Sequence, residues 1–397
     1  MKHHLLDLLK IVLSVVLVAA AGICRAQDDS GVIKIQKETT KLGLTPPIPV
    51  SLDGFSGEVA EVLKFDLYVQ GFAFVAPDAA QYQISGSNSG NVTGNVSDKL
   101  AKKVILSRIY NGASLRRQAH AFADDIVQAT TLRKGIGQTK IAFKAQSPDG
   151  TGEIYLSDFD GHNAQPITRD SAIVAAPAWV PGRLALYYTS YARGNPDIFY
   201  NNLSTGERRI FSTYSGLNTS AAVSPDGSKV AMILSKGGVP NVYVCNADGT
   251  ELKRLTTSEE DSSPCWSPDG QWICFATKIQ SHRVLAKVPA GGGKIQVVRT
   301  SGAPNPTEPD WSPDNKWIAF TSQTSEFDIC VTPADGSAPP VVLARGQDPS
   351  WSPNSRTLVC SHSAGYLQTL SVLDVFTKQV KDVGRIAGSD SEPAWAR

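Results

Sequence analysis

The chain shows no excess of either charge. Its 397 residues carry 38 Lys and Arg against 37 Asp and Glu, a formal net charge of +1. That balance gives no electrostatic footprint for nucleic acid or any other polyanion. Cysteine is scarce as well. Cys24 lies in an N-terminal leader, and Cys245, Cys265, Cys274, Cys330 and Cys360 follow. An odd set at irregular spacing is no disulfide framework, so these five read as small buried hydrophobes. No CxxC or His-rich tract suggests a metal, and His120, His162, His282 and His362 fall in separate segments. The sequence holds no Gly-x-Ser-x-Gly elbow and no phosphate-binding loop. It gives no positive case for an enzyme, and no cofactor is expected. Its one long apolar run, Ile11 to Ile23, is short for a membrane span. Lys2 precedes the run and Cys24-Arg25-Ala26 closes it, which predicts a secretory signal peptide over 1–26, cleaved after Ala26. The mature chain is therefore expected to be exported, soluble and monomeric.

Turn formers and tryptophan are plentiful: 33 Gly, 24 Pro and 7 Trp. They fall into a repeat. Pro264-Cys265-Trp266 leads into Ser267-Pro268-Asp269-Gly270, and the run Gln271 to Thr277 then reads as a buried strand. In the turn, Pro presets φ, Asp caps nearby backbone, and Gly takes the positive-φ position. Aligned positions are Trp179, Val223, Trp266, Trp311, Trp351 and Trp395, spaced by 44, 43, 45, 40 and 44 residues. Periods near 40–45 with four strands per unit predict a β-propeller. Third strands such as Asp197-Ile198-Phe199-Tyr200 and Asn241-Val242-Tyr243-Val244 give a count of six blades. The first blade lacks its Trp strand and the last Trp strand has no blade behind it. Trp395 is therefore expected to complete blade 1 and close the ring, which removes most exposed sheet edge.

Ahead of the repeats, the pattern predicts a small α/β layer. A helix starts near Gly57 with Val59, Val62, Leu63 and Leu67 on one face. Strands follow at Phe72–Val75, at Tyr82–Gly86 and at Lys103–Tyr110, with the stretch 86–95 read as a hairpin or loop tip. Ser114 opens a second helix with Leu115, Ala119, Phe122, Ile126 and Ala129 inward. Its Arg116, Arg117, Asp124 and Asp125 read as a solvated face, and His120 as a residue set between core positions. The fold class is thus mainly β: a six-bladed propeller over 135–397, preceded by an α/β domain over 27–134 with a polar, Pro-rich leading arm.

A propeller without catalytic groups is a binding platform, with ligands at its axial mouth. Asp-x-Asp-Gly turns such as Asp158 to Gly161 have too few oxygens, and no downstream Glu, for calcium. Three positions before each aromatic stand Ala176, Ser220, Ser263, Glu308, Asp348 and Glu392, which are expected to line one mouth. Three of the six are acids on consecutive blades. They would orient a partner segment bearing Lys, Arg or amide groups; read blandly, they are solvated loop residues.

The order of parts resembles the TolB family. The resemblance is carried by Ala123-Asp124-Asp125-Ile126 running to Gly137-Gln138-Thr139-Lys140-Ile141-Ala142-Phe143. It is also carried by Asp158-Phe159-Asp160-Gly161-His162-Asn163-Ala164-Gln165 and by Pro349-Ser350-Trp351-Ser352-Pro353-Asn354. Ala129-Thr130-Thr131 departs from the family's usual Leu-Thr-Gly. The resemblance implies a non-enzymatic periplasmic scaffold of the Tol–Pal system. It would bind the lipoprotein Pal through the propeller mouth and TolA through the N-terminal arm, supporting outer-membrane integrity and envelope constriction at division. Two alternatives stand beside it: an exported propeller for a small ligand or glycan, and a divergent propeller lyase or lactonase.

Overall fold

A computed structural model describes residues 42–384 and 388–397. The expected signal peptide and the leading arm up to residue 41 lie outside the described residues. No helix among those described is long and apolar enough to cross a membrane.

The N-terminal layer is built from β1 (Ile48–Asp53), α1 (Gly57–Tyr68), β2 (Phe72–Phe74), β3 (Tyr82–Ser87), β4 (Val92–Asp98), β5 (Lys103–Tyr110) and α2 (Leu115–Thr131). The sheet order is β2-β1-β3-β4-β5, with β1 parallel to both neighbours and the remaining pairs antiparallel. Both helices start where the sequence directs. Ser114 caps α2, its Oγ accepting the Arg117 amide at 3.3 Å. Val59, Val62, Leu63 and Leu67 of α1 pack with Ala119, Phe122 and Ile126 of α2 in one core. Leu115 packs against that core half-buried. Of the hairpin or loop tip expected over 86–95, the structure shows the hairpin: β3 runs to Ser87, β4 starts at Val92, and the two pair antiparallel from Asp98 back to Thr93. Val92, Gly94, Val96 and Asp98 alternate inward, but Thr93, Asn95 and Ser97 between them hide the period. Gly94 sits against the Phe122 ring, where any side chain would collide.

The remainder forms six four-stranded sheets. Blade 1 joins β6 (Lys140–Gln146), β7 (Gly152–Asp158) and β8 (Gln165–Pro166) to β29 (Ser389–Trp395). Blade 2 is β9 to β12 (174–212), blade 3 β13 to β16 (218–254) and blade 4 β17 to β20 (261–297). Blade 5 is β21 to β24 (306–345) and blade 6 is β25 to β28 (347–382). β29 pairs antiparallel with β6, so the C-terminal segment supplies the innermost strand of blade 1.

The Ser-Pro-Asp-Gly turns close as their chemistry requires. In blade 4, Ser267 Oγ donates to Asp269 Oδ1 at 2.5 Å and accepts the Trp272 amide at 2.9 Å. Ser224 and Ser312 repeat both bonds. The positive-φ position is Gly227 and Gly270 in two blades, and Asn315 and Ser355 in two others.

Each innermost-strand tryptophan packs back onto the preceding blade. Trp266 lies among Ala231, Val242 and Val244 of blade 3, and Trp351 among Ala319, Ile329 and Val331 of blade 5. Three indoles also donate to the preceding innermost strand. Trp266 Nε1 reaches Ala222 O at 2.9 Å, Trp351 reaches Asp310 O at 3.1 Å, and Trp179 reaches Ala394 O at 2.9 Å. The repeated Trp is therefore the staple between neighbouring blades, a large ring packed on the blade before it and, in Trp179, Trp266 and Trp351, a donor satisfied there, whereas the buried Trp311 Nε1 has no hydrogen-bond partner.

Candidate functional site

Every innermost strand carries a β-bulge at the same place. The register of β9, β13, β17, β21, β25 and β29 against its neighbour shifts before the aromatic. At each shift sits one left-handed residue: Ala176, Ser220, Ser263, Glu308, Asp348 and Glu392, with φ of 50, 53, 50, 52, 55 and 51°. Non-glycine residues are uncommon there, so six in register mark a designed kink that re-aims side chains. All six line a central channel of about 1000 Å³. Their placement refines the expectation in one respect. They lie within the strands, partway down the wall, and not in loops ahead of the strands.

The three acids occupy blades 5, 6 and 1. Glu308 Oε2 accepts Thr321 Oγ1 at 2.6 Å and the Asp348 amide at 3.0 Å. Glu392 Oε2 accepts the Ala176 amide at 2.6 Å, and its Oε1 accepts Lys144 Nζ at 3.0 Å. Each glutamate thus ties its blade to the bulge of the next. Asp348, one methylene shorter, takes Ser361 Oγ at 3.0 Å and Gln347 Nε2 at 3.3 Å from its own blade. Burial, then repulsion from Glu308 and Glu392 on either side, pushes the Asp348 carboxyl well above the usual carboxylate range. The lining thus holds four carboxyl groups, Glu308, Asp310, Asp348 and Glu392, with Lys144 paired to Glu392 and Arg397 to Asp310.

The channel's two ends differ. At the end where each innermost strand runs into its turn, Arg397 reaches across blades. It donates to Trp351 O at 3.1 Å and Trp311 O at 3.2 Å, and pairs with Asp310. The N-terminal layer docks on this same side. Gly43 and Thr45 donate to Val375 O and Phe376 O of blade 6 at 2.9 and 3.0 Å. Val69, Phe65 and Tyr68 pack with Phe159, Val372 and Trp395 in a core shared with blades 1 and 6. The opposite end is lined by Gln146, Gln347, Gln368, Ser389 and Tyr366. On that face the hairpins between second and third strands each expose an apolar side chain in blades 2 to 6: Tyr191, Val239, Ile279, Phe327 and Tyr366.

A second charged cluster lies at the seam between layer and propeller, and the sequence reading missed it. Arg116 and Asp124, read as solvated, face inward. Arg116 pairs with Asp160 in the β7–β8 turn and with Glu58 at 3.1 Å. Asp124 Oδ1 accepts the Gly137 amide at 2.7 Å. Arg117 is exposed as expected, while Asp125 pairs with Arg108 and accepts the Tyr110 hydroxyl at 2.7 Å. His120 is buried with Nδ1 2.7 Å from Asp66 Oδ2 and Nε2 3.4 Å from Asp160 Oδ2. Burial alone would lower the His120 pKa, but the two carboxylates outweigh it and raise it to about 10. Burial pushes Asp66 up to about 6 despite His120. Burial would raise Asp160 too, yet His120 and Arg116 hold it below the usual range. The available signal was Asp66 itself, a charge on the apolar face of α1 one turn from Val62 and next to Leu67.

The described geometry has known counterparts. Residues 127–397, more than half of the chain, match the TolB beta propeller domain family (PD40). The Tol-Pal system protein TolB of Anaeromyxobacter dehalogenans is 30% identical over 262 residues, 55% of this chain and 60% of that protein. The TolB protein of Desulfosudis oleivorans is 34% identical over 163 residues, 41% of this chain and 37% of that protein. These alignments span less than two thirds of either relative. Among solved structures, TolB from Acinetobacter baumannii superposes with a TM-score of 0.80 at 20% identity, covering 90% of this chain and 98% of that one. That likeness is one of fold, and it extends through the N-terminal layer as well as the propeller. The chain belongs to the TolB family.

Proposed function

We propose that this protein is a periplasmic, non-enzymatic scaffold of the Tol–Pal system that binds the lipoprotein Pal at the propeller channel. TolA is the proposed partner of the N-terminal arm, and support of outer-membrane integrity and envelope constriction the proposed role. The observation that carries the channel reading is the acidic wall of Glu308, Asp348 and Glu392 in an open space of about 1000 Å³. A partner segment entering with a Lys, Arg or amide would relieve the crowding of three carboxyl groups, and desolvation in the channel would strengthen the contact. Entry from the face away from the N-terminal layer fits the arrangement. Arg397 spans the near end, whereas the far end opens between exposed apolar side chains suited to an interface core.

The test is affinity capture from detergent-solubilised envelope, with the mature protein as bait and mass spectrometry as readout. Pal should be recovered by the wild type and lost when Tyr366 and Phe327 are both replaced by Asp. Pal recovery equal in the two baits would reject this face as the binding surface. Failure of the wild type to recover Pal would reject the partner.

A further inference from the structure

His120 stands between two carboxylates that belong to different parts of the molecule. Asp66 comes from α1, Asp160 from the β7–β8 turn of blade 1, and His120 itself from α2. The two acids flank opposite ring nitrogens. A neutral imidazole has one N–H, so its other nitrogen would turn a lone pair toward a carboxylate in a buried site. Only the imidazolium is complementary to both. Asp66, His120 and Asp160 each also offer a ligand atom within 4.8 Å of one another, so the chelator arm of the test below separates a proton from a metal ion.

Arg116, His162, Glu58 and Asp124 also surround the ring, and with these two further acids the wider set is net negative. Arg116 of α2 pairs with Asp160 and with Glu58 of α1. His162 of the same turn lies 3.8 Å from Glu58. Asp124, one turn along α2, is engaged by the Gly137 amide and by Gln138. With His120 charged, Asp66, Asp160, His120 and Arg116 sum to zero. With it neutral, a net negative charge remains in a seam where the Asp66, Asp160 and His120 side chains are each at least 94% buried. Phe159 sets its ring edge-on to His120 at 5.8 Å and stacks on Trp395 at 6.1 Å, so the turn is held by packing and by charge together.

We propose that His120 is a proton-dependent lock between the N-terminal layer and the propeller. As imidazolium it clamps Asp66 to Asp160; on losing its proton it releases the β7–β8 turn from the two helices. The imidazole's folded pKa lies above its unfolded value, so its own contribution is lost as pH rises from about 6.5 through about 10, while Asp66, pushed up to about 6, becomes protonated below that pH and gives up its side of the clamp. Loss of the imidazole proton therefore opens the lock on the alkaline side.

Two measurements on the intact mature protein test this. The first is a 15N NMR titration of histidine rings between pH 6 and 10.5. One imidazole should keep both ring nitrogens protonated at pH 8.5, and its signal should vanish in His120→Gln. If every imidazole is neutral by pH 8, the lock does not exist. The second is hydrogen exchange of the turn 158–163 and of α1, normalised to blade 4. Wild-type protection at the seam should fall more than tenfold between pH 8 and 10.5, and Asp160→Asn should move the midpoint down by a pH unit or more. Protection that stays flat over that range, a midpoint unmoved by Asp160→Asn, or protection lost on adding a chelator would each overturn the proposal.

Discussion

The seam and the channel use the same side chains to opposite ends. At the seam, Asp66 and Asp160 are buried and matched by His120 and Arg116 across three elements. In the channel, Glu308, Asp348 and Glu392 stand on consecutive blades with Lys144 as the paired cation, beside open space. Carboxylates matched within the protein hold layers together. Under the proposed function, the carboxyl groups left in excess along the channel wall are the ones offered to a partner. The channel acids are not idle in the free protein, since Glu308 and Glu392 each accept an amide from the next blade's bulge. The second oxygen of Glu392 takes Lys144, which leaves the second oxygen of Glu308 and the Asp348 carboxyl as the remainder.

The comparison can be broken at the strand common to both regions. β29 places Glu392 in the channel and Trp395 in the seam core. Removing residues 390–397 should abolish cooperative unfolding or lower Tm by more than about 10 °C, because it opens the ring and exposes the edge of β6. Calorimetry of the truncated chain reads this, and an unchanged Tm would sink the closure argument. Next in size is His120→Ala, which leaves two buried carboxylates with Arg116 alone. Breaking a buried pair on one side costs about 3–5 kcal/mol, to be read as a lower urea midpoint at pH 7.

The channel should respond in the other direction. Asp348→Asn removes a carboxyl whose ionisation the fold opposes. Its folded pKa is raised, so wild type loses stability as pH rises from the unfolded value near 3.8 through the folded one. The Asn variant should therefore be equal or more stable at neutral pH, with its advantage vanishing below about pH 4. Urea melts at pH 4 and pH 8 check the sign. The smallest effect is expected from Arg108→Ala, which breaks an exposed pair with Asp125. Its cost should stay under about 1 kcal/mol, and a larger loss would blur the distinction between matched buried acids and surface pairs.

The legibility of the two regions differs for a physical reason. The propeller repeats local chemistry: Pro and Gly fix turns, and one Trp per unit staples blades, so period and closure can be read from neighbouring residues. The channel positions follow from that period by counting three residues back from each aromatic. What counting does not reveal is the bulge, because left-handed Ala176 and Glu392 carry no sequence mark. β4 was obscured by its polar outward residues. The seam was hidden by distance, since Asp66, His120 and Asp160 are brought together only by the docking of α1 and α2 on the β7–β8 turn. Helical periodicity set His120 only between core positions and could not name its partners.

The most direct test of the channel reading is calorimetric titration of the soluble part of Pal into the mature protein at low and high salt. The comparison is with Glu308→Gln, Asp348→Asn and Glu392→Gln combined, substitutions that keep acceptor atoms for the blade-to-blade amides while removing charge. The expected result is a folded variant with affinity at least about tenfold lower at low salt, a gap that narrows as salt rises. Equal affinity at low salt in a variant with an unchanged melting profile would contradict the account.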